Sequence, residues 1–340
     1  MRDISAVTGI DIILFSTACA HQCAYCFFDN HQPSASSFNR FSSVIERFMD
    51  WREAKKLTDF DVVCRRFYCD EVSPEVFKKE IALAARSHKY RPLYLGGLRM
   101  HPERELRTWL QQLRDAGVKV VYVSFAGYRD VHDKWNGRPG DFEFLINTMK
   151  LAAELGMVFV QRLFVMKSTL PAFEKLLDTL DGLPGKVKNR EVYPLNYSGR
   201  AGRLEEERVS AADLEALPER VIKSFTHRKN WRSEQEWLDI IRTEQGSPAI
   251  RTLLKLYLND TNIARVESMS CAEIVTNLES RTRSAYHALP SPQELCEFAD
   301  AANDRLYHSR LDIERLWLNR YLRKHSVRFE RQLTFLSMND

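Results

Sequence analysis

Glycine is scarce in this chain: thirteen in 340 residues, where average usage of about 7% would give roughly twice as many. That scarcity argues against a phosphate site built on a glycine-rich loop. Nor is there an apolar run approaching the ~20 residues that cross a bilayer, so no membrane partner is expected. Asp3 and Asp11 interrupt the apolar stretch upstream of Cys19, and Ser16 stands where a lipoprotein-type cleavage site needs an aliphatic residue. An excess of one charge is also missing: 50 Lys and Arg face 46 Asp and Glu, and a net charge of +4 selects no class of partner. Seven cysteines form an odd set without an even framework. This excludes a disulfide scaffold and suits a reducing, cytoplasmic setting.

Three of those cysteines sit together in Thr17-Ala18-Cys19-Ala20-His21-Gln22-Cys23-Ala24-Tyr25-Cys26-Phe27. The spacing is C-x3-C-x2-C, with an aromatic residue directly before the third cysteine. So tight a loop can aim three thiolates at one point. Three thiolates leave one iron of a four-iron cluster without a protein ligand, and an open coordination position is what a catalytic metal needs. Zinc is the alternative; His21 is close, but it lies between the first two cysteines and would strain a tetrahedral site. Reduced structural thiols are the other.

From residue 10 to 200 strands and helices alternate. Strands are expected at Ile10–Phe15, Asp61–Tyr68, Leu93–Leu95, Val118–Phe125, Met157–Met166 and Glu191–Leu195. Helical periodicity fills the intervals at Ser42–Lys56, Pro74–His88, Pro102–Ala116, Phe142–Leu155 and Ala172–Leu180, with Gly117 and Gly156 as C-terminal caps. Six strands alternating with helices predict a parallel sheet wound by right-handed crossovers. Folds of this kind bind ligands at the carboxyl ends of their strands, and the cysteine loop lies at such an end. Beyond Leu204 the pattern turns rich in Leu, Glu and Arg at helical spacing, punctuated by Pro218, Pro248, Pro290 and Pro292. This divides the chain into residues 1–204 and a mostly helical region, 205–340.

The cysteine loop resembles the signature of the radical S-adenosylmethionine (SAM) enzymes. The resemblance implies an α/β fold, a partial (β/α)6 TIM-like barrel, followed here by the helical region. It implies that Cys19, Cys23 and Cys26 bind a [4Fe-4S] cluster whose open iron chelates SAM. One electron, from a donor such as flavodoxin or ferredoxin, would split SAM to a 5′-deoxyadenosyl radical that abstracts hydrogen. Tyr25, before the third cysteine, joins the SAM contacts. The family's Gly-Gly-Glu segment, which receives the SAM ammonium, has two registers here. Cys69-Asp70-Glu71 keeps one strand and one helix per unit and retains the acid, Glu71, with Asp70 as a helix cap. Gly96-Gly97-Leu98 keeps the glycines; in the first register Gly96 and Gly97 occupy the family's third-strand turn. Val123-Ser124-Phe125-Ala126-Gly127 through His132-Asp133 resembles the family's Ser-Leu-Asp-Gly…His-Asp run. Asn136-Gly137-Arg138-Pro139-Gly140-Asp141-Phe142 resembles its Arg-Gly-x-Gly-Ser-Phe segment. Ser124 and Arg138 are thereby expected to touch the SAM ribose and carboxylate, the latter by a guanidinium fork. His132 and Asp133 read as turn and helix-start residues. Arg162, Asn196 and Tyr197 are placed where SAM or substrate contacts are possible.

The later cysteines, Cys271 and Cys296, are far apart and form no C-x-x-C pair. A single cluster is therefore expected, and either thiol is a small buried hydrophobe or a hydrogen-atom donor. Cys64 alternates within a strand and reads as core. Arginines and aromatics between Arg305 and Arg331 raise the alternative of RNA, but Leu311, Ile313, Leu316, Trp317 and Leu318 mark an amphipathic helix with a solvated basic face, and nucleic acid is not the expected partner. The expected function is hydrogen abstraction from a peptide or small-molecule substrate in a tailoring reaction. The alternatives are an RNA-modifying radical SAM enzyme and a non-catalytic iron–sulfur or zinc protein.

Overall fold

Among the described residues, β-branched and aliphatic runs bounded by polar turns build seven strands, paired in parallel, in two sheets. The structure is a computed structural model that describes residues 4–15, 19–26, 38–67, 73–86, 92–244 and 250–325. Along the first part of the chain run β1 (Ile4–Phe15), α1 (Phe38–Ala54), β2 (Asp61–Phe67), α2 (Pro74–Arg86), β3 (Leu93–Tyr94), α3 (Glu103–Asp115), β4 (Val120–Phe125), α4 (Asp130–Asn136), α5 (Asp141–Glu154), β5 (Val158–Val165), α6 (Phe173–Asp181) and β6 (Lys186–Pro194). One sheet has the order β3-β4-β5-β6, the arrangement expected of consecutive right-handed βαβ units. The other has the order β2-β1-β7, where β7 (Ile250–Leu258) comes from far along the chain.

Each sheet packs its outer face on helices. Behind the four-stranded sheet, Val121, Val123, Phe125, Phe159, Leu163 and Val192 meet residues of α3, α5 and α6. Behind the three-stranded sheet, Ile10, Ile12, Leu14, Leu254 and Leu256 meet α1 and α11 (Cys271–His287). Because side chains alternate along a strand, the intervening residues face inward: Tyr122 and Ser124 from β4, Arg162 and Phe164 from β5, Glu191 and Tyr193 from β6. Gly9 lets β1 lie against β2: a Cβ there would stand 2.1 Å from the Asp61 carbonyl oxygen, and φ is 151°.

After β6 come α7 (Ala211–Glu215), α8 (Glu219–Ser224), α9 (Glu234–Thr243), then, beyond β7, α10 (Ile263–Ser268), α11, α12 (Pro292–Leu295) and α13 (Arg310–His325). Helix dominates here as the leucine-rich pattern predicts, with one correction. Ile250–Leu258, in the region read as helical, is a strand that pairs with β1 over Ile4–Leu14, so the C-terminal region supplies part of the barrel wall. Its four leucines favour helix as isolated residues. The free edge of β1 and the alternation of Leu254, Leu256 and Leu258 with Lys255 and Tyr257 override that preference. At His132 and Asp133, expected as turn and helix-start residues, the chain forms a short helix of its own, α4. No helix of the described residues is long and apolar enough to cross a membrane.

A third core joins α9, α12 and α13 through Trp237, Ile241, Leu295, Cys296, Ile313 and Trp317. Its polar centre is Glu234, fully buried, which accepts hydrogen bonds from the Asp300 amide (2.7 Å), Asn303 (2.6 Å) and the Trp317 indole (2.6 Å) and pairs with Arg320. Arg310 pairs with Glu244 and Glu314, and Arg305 with Glu206. Much of the positive charge that suggested RNA is thus neutralised within the protein. Arg328, Phe329 and Arg331 of that segment lie outside the described residues.

Candidate functional site

The segment leaving the carboxyl end of β1 is tied by main-chain bonds to the turns after β3 and β6 and to the end of α4. Ala20 N donates to Gly97 O (3.2 Å), Gln22 N to Asn136 O (3.0 Å), Ala24 N to Trp135 O (2.9 Å), and Arg200 N to Cys26 O (2.9 Å). Fixing so short a loop at four points removes conformational freedom before any ligand binds. The α4 end comes close enough to need glycine. At Gly137, with φ of 63°, a Cβ would stand 3.0 Å from the Gln22 Cβ and 3.3 Å from its carbonyl oxygen. Cys19, Cys23 and Cys26, all half-buried, occupy this loop. Tyr25 packs its ring on Phe164 of β5 at 4.8 Å between centroids, within a small apolar cluster with Ala126, Met166, Leu195 and Ala201.

Behind the loop lies a buried polar network. Asp141, at the first turn of α5, is inaccessible to solvent, as are His132, Asn136 and His21 to within 3%. His132 Nδ1 accepts the Ala126 N–H (3.0 Å), so its ring proton sits on Nε2, which donates to Asp141 Oδ2 (3.1 Å). His21 Nδ1 accepts the Gly97 N–H (3.1 Å), which leaves its Nε2 proton facing Asp141 Oδ1 at 3.4 Å, a charge contact rather than a well-directed hydrogen bond. Asn136 Nδ2 also donates to Asp141 Oδ2, and Arg138 forks onto Oδ1 and onto the Leu98 carbonyl. Burial opposes the charge, but the hydrogen bond from His132 and the close approach of the His21 ring hold the Asp141 carboxyl well below the usual carboxylate range. Asn136 Oδ1, at the other end of the amide, accepts from the Tyr25 hydroxyl (2.6 Å) and faces Cys23 Sγ at 3.6 Å.

The thiols respond to one another. Burial pushes the Cys23 thiol far up, and Cys26 and Cys19 push it further, because neighbouring thiolates repel. A cation held among them relieves both costs, so the donor set suits a thiophilic metal. Among the described residues no three His, Cys, Asp or Glu side chains stand, as placed, where they could hold a single metal ion, so the fit rests on the chemistry of the donors. Three soft thiolates in one pinned loop thus fit an iron–sulfur cluster in kind, number and mutual influence.

Beside this loop the inner face of the four-stranded sheet carries a polar and aromatic strip. Tyr94 and Tyr122 rings lie 5.0 Å apart, and the Arg162 guanidinium lies 5.9 Å from the Tyr122 centroid and bonds Glu191 at 2.7 Å. The Tyr193 ring stands 5.5 Å from His308, whose Nδ1 is 3.0 Å from buried Asp312. Asp312 also accepts the Tyr197 N–H (2.6 Å), anchoring the start of α13 over the end of β6. Ser124 lies in register with Arg162 on this strip.

The structure therefore brings together Cys19, Cys23, Cys26, Tyr25, Gly97 and Arg138 at the loop, with Ser124 lower on the strip. Gly96 faces free space, since a Cβ there would meet nothing within 4 Å. Glu71, with Cys69 and Asp70, lies outside the described residues, as do Thr17, Ala18 and Phe27. Cys271 and Cys296 belong to the outer core of the three-stranded sheet and to the C-terminal helical core, so neither is on the inner face. Cys64 packs, partly buried, against the outer core of the three-stranded sheet. The sequence reading missed the roles of His21, Asn136 and Asp141. The available signal was an aspartate directly before Phe142, where the resembling segment has serine.

Residues 13–180 match the model of the Radical SAM superfamily. No curated protein matches the sequence. Among solved structures, native anSMEcpe with bound AdoMet is 12% identical and covers 92% of this chain and 96% of its own, at a TM-score of 0.49. Streptococcus suis SuiB bound to the precursor peptide SuiA is 14% identical and covers 75% of this chain, at a TM-score of 0.46. Coproporphyrinogen III oxidase (HemN) from Escherichia coli is 11% identical and covers 74% of this chain and 64% of its own, at a TM-score of 0.43. The chain spans 58% and 51% of the length of the two SuiB structures it matches. With the cysteine loop inside the matched segment and at the carboxyl end of a parallel strand, the chain belongs to the radical SAM superfamily of enzymes.

Proposed function

We propose that this enzyme holds a single [4Fe-4S] cluster on Cys19, Cys23 and Cys26 and cleaves SAM reductively to functionalise a peptide or small-molecule substrate. When bound, the cluster and SAM supply a 5′-deoxyadenosyl radical that removes a hydrogen atom from the substrate. The protein supplies binding, orientation and exclusion of water. The observation that carries the reading is the cysteine loop pinned at the strand ends beside an inner face of half-buried polar groups.

Each residue has a defined part. The fixed loop would supply its three thiolates to the cluster, which would leave one iron without a protein ligand for SAM to complete. Tyr25, Gly96, Gly97, Ser124 and Arg138 would form the SAM-holding set, with Glu71 for the ammonium. Gly96 leaves room for close approach, and Arg138 combines its ties to Asp141 and Leu98 with its position beside the Gly97 turn. The strip from Tyr94 to His308 receives the substrate: tyrosines offer flat apolar faces with a polar edge, and the Arg162–Glu191 pair offers both a donor fork and an acceptor. Such a surface suits an amide-bearing or amino-acid-like molecule. The electron comes from a small reductant protein such as flavodoxin or ferredoxin.

The test needs no substrate. Anaerobic reconstitution with iron and sulfide, then dithionite and SAM, should release 5′-deoxyadenosine, measured by chromatography. Cys23→Ala should abolish both iron uptake and that product. A loaded wild-type cluster that leaves SAM intact would overturn the reading.

A further inference from the structure

One amide behind the cysteine loop is held in a single orientation, and the group that holds it is a buried charge. Asn136 lies between Cys23 on one side and Asp141 on the other. An ionised carboxylate can only accept, so Asn136 Nδ2 must face Asp141 and Oδ1 must face Tyr25 and Cys23. Flipping the amide would set its oxygen against the carboxylate. The Tyr25 hydroxyl can donate or accept, and the His132 Nε2, 2.9 Å from Nδ2, is a second neighbour, so it is the charge of Asp141 that selects the orientation. The thiol of Cys23 can donate to Asn136 Oδ1, but a Cys23 sulfur that has given up its proton to bind iron faces an oxygen instead of an N–H.

The potential of an iron–sulfur centre depends on net charge, on hydrogen bonds to its sulfurs and on burial. Each donor withheld from a sulfur, and each negative charge nearby in a medium of low dielectric, makes the extra electron harder to add. Resting on the cluster assignment above, we propose that Asp141 is a positioning residue that keeps the cysteine-bound cluster at a low reduction potential, by its own charge and by turning the oxygen of Asn136 toward Cys23. A low potential makes the reduced centre a strong one-electron donor. Arg138 works against this, because its guanidinium sits on the same carboxylate. The two residues should therefore move the potential in opposite directions.

The experiment is a potentiometric titration of the reconstituted, SAM-free protein followed by electron paramagnetic resonance. In Asp141→Asn the cluster should be reduced at least tenfold more readily, a rise of about 59 mV for one electron. Arg138→Gln, which leaves the carboxylate charge uncompensated, should lower the potential. Unmoved potentials, or shifts of the same sign in both variants, would overturn the inference, and so would failure of both to take up iron at the wild-type ratio. If only Asp141→Asn fails to load, the sign of the Arg138→Gln shift decides. A wild-type protein that binds no cluster overturns the cluster assignment and this inference with it; a normal wild-type cluster with unmoved variants overturns the inference alone.

Discussion

The two sheets share strand direction and outer packing but treat their inner faces in opposite ways. On the β2-β1-β7 side the inner face is closed by charge: Asp11 and Lys255 are buried against each other, and Arg65 Nε reaches the same carboxylate oxygen at 3.1 Å. Burial lowers the Lys255 ammonium, against the pull of Asp11, and raises the neighbouring Tyr257 phenol. On the β3-β4-β5-β6 side the corresponding layer holds Tyr122, Ser124, Arg162 and Tyr193, all half-buried and in reach of solvent. Buried ion pairs add little net stability but are costly to break, whereas half-exposed pairs cost little to lose and remain available to a ligand. One half is therefore a structural wall, and the other, which the proposed function makes the working wall, keeps its polar groups within reach of solvent. The comparison also explains β7: it brings Lys255, without which Asp11 would have only Arg65.

The sharpest way to break this contrast is to truncate both carboxylates. Asp11→Ala leaves Lys255 buried without its partner and should destabilise the protein by about 3–5 kcal/mol in urea unfolding. Glu191→Ala releases Arg162 at a half-exposed position and should cost about 1 kcal/mol or less. Equal losses would mean that both faces are structural.

Next in size is an acid effect on the loop side of the working wall. The folded-state pKa of Asp141 is depressed, so its contribution to stability is fully present above the ordinary carboxylate value of about 4 and is lost as pH falls through the folded value. Wild-type stability should therefore fall on acidification more steeply than that of Asp141→Asn, which should be weaker at neutral pH and flatter below about pH 4. Parallel curves for the two proteins, followed by tryptophan fluorescence, would show that Asp141 carries no such charge.

How much of this was legible from the chain differs between the same two regions. The four-stranded half follows local signals: β-branched runs at Val120–Phe125 and Val158–Val165 and glycines at positions 117 and 156, with φ of 106° and 75°, lie at the ends the sequence marks. In the three-stranded half β1 and β2 follow such signals too, but β7 does not, because it exists through a pairing partner some 240 residues away, and a leucine-rich segment carries no sign of which partner it will find. At the site, the cysteine loop could be read from spacing alone. The Asp141 network could not, since His21 comes from the cysteine loop and His132, Asn136 and Arg138 from a stretch more than a hundred residues later, and they matter only once α4 turns them together. Arg138 was expected at a ligand; the structure shows its fork on Asp141 and Leu98, and how that position serves SAM belongs to the proposal.

A smaller effect tests how closely the working wall must approach the loop. Gly137→Ala forces a left-handed residue and a Cβ against Gln22, a cost of about 1–2 kcal/mol. Because that contact carries the Gln22–Asn136 main-chain bond, iron retention during gel filtration should weaken more than global stability does. Gly156→Ala pays the same backbone cost in open space, 75° in φ with no neighbour within 4 Å, and should leave iron retention unchanged.

The smallest expected change is also the one that bears on cluster count. Cys296 lies in the C-terminal helical core with its Sγ 3.3 Å from the Pro292 carbonyl, a bond made within one turn of chain. Burial raises its thiol, as at Cys23, but Cys271, the other cysteine of the C-terminal region, belongs to a different core and cannot share a metal with it. Cys296→Ala removes one buried sulfur and should cost about 1 kcal/mol, with iron per chain and 5′-deoxyadenosine yield both at wild-type values. Cys271, in the outer core of the other sheet, is raised by burial in the same way and should behave alike. If either substitution lowered the iron content, a cysteine remote from the loop would be a ligand, and the distinction between a wall that only supports and a wall that reacts would have to be redrawn around a second metal.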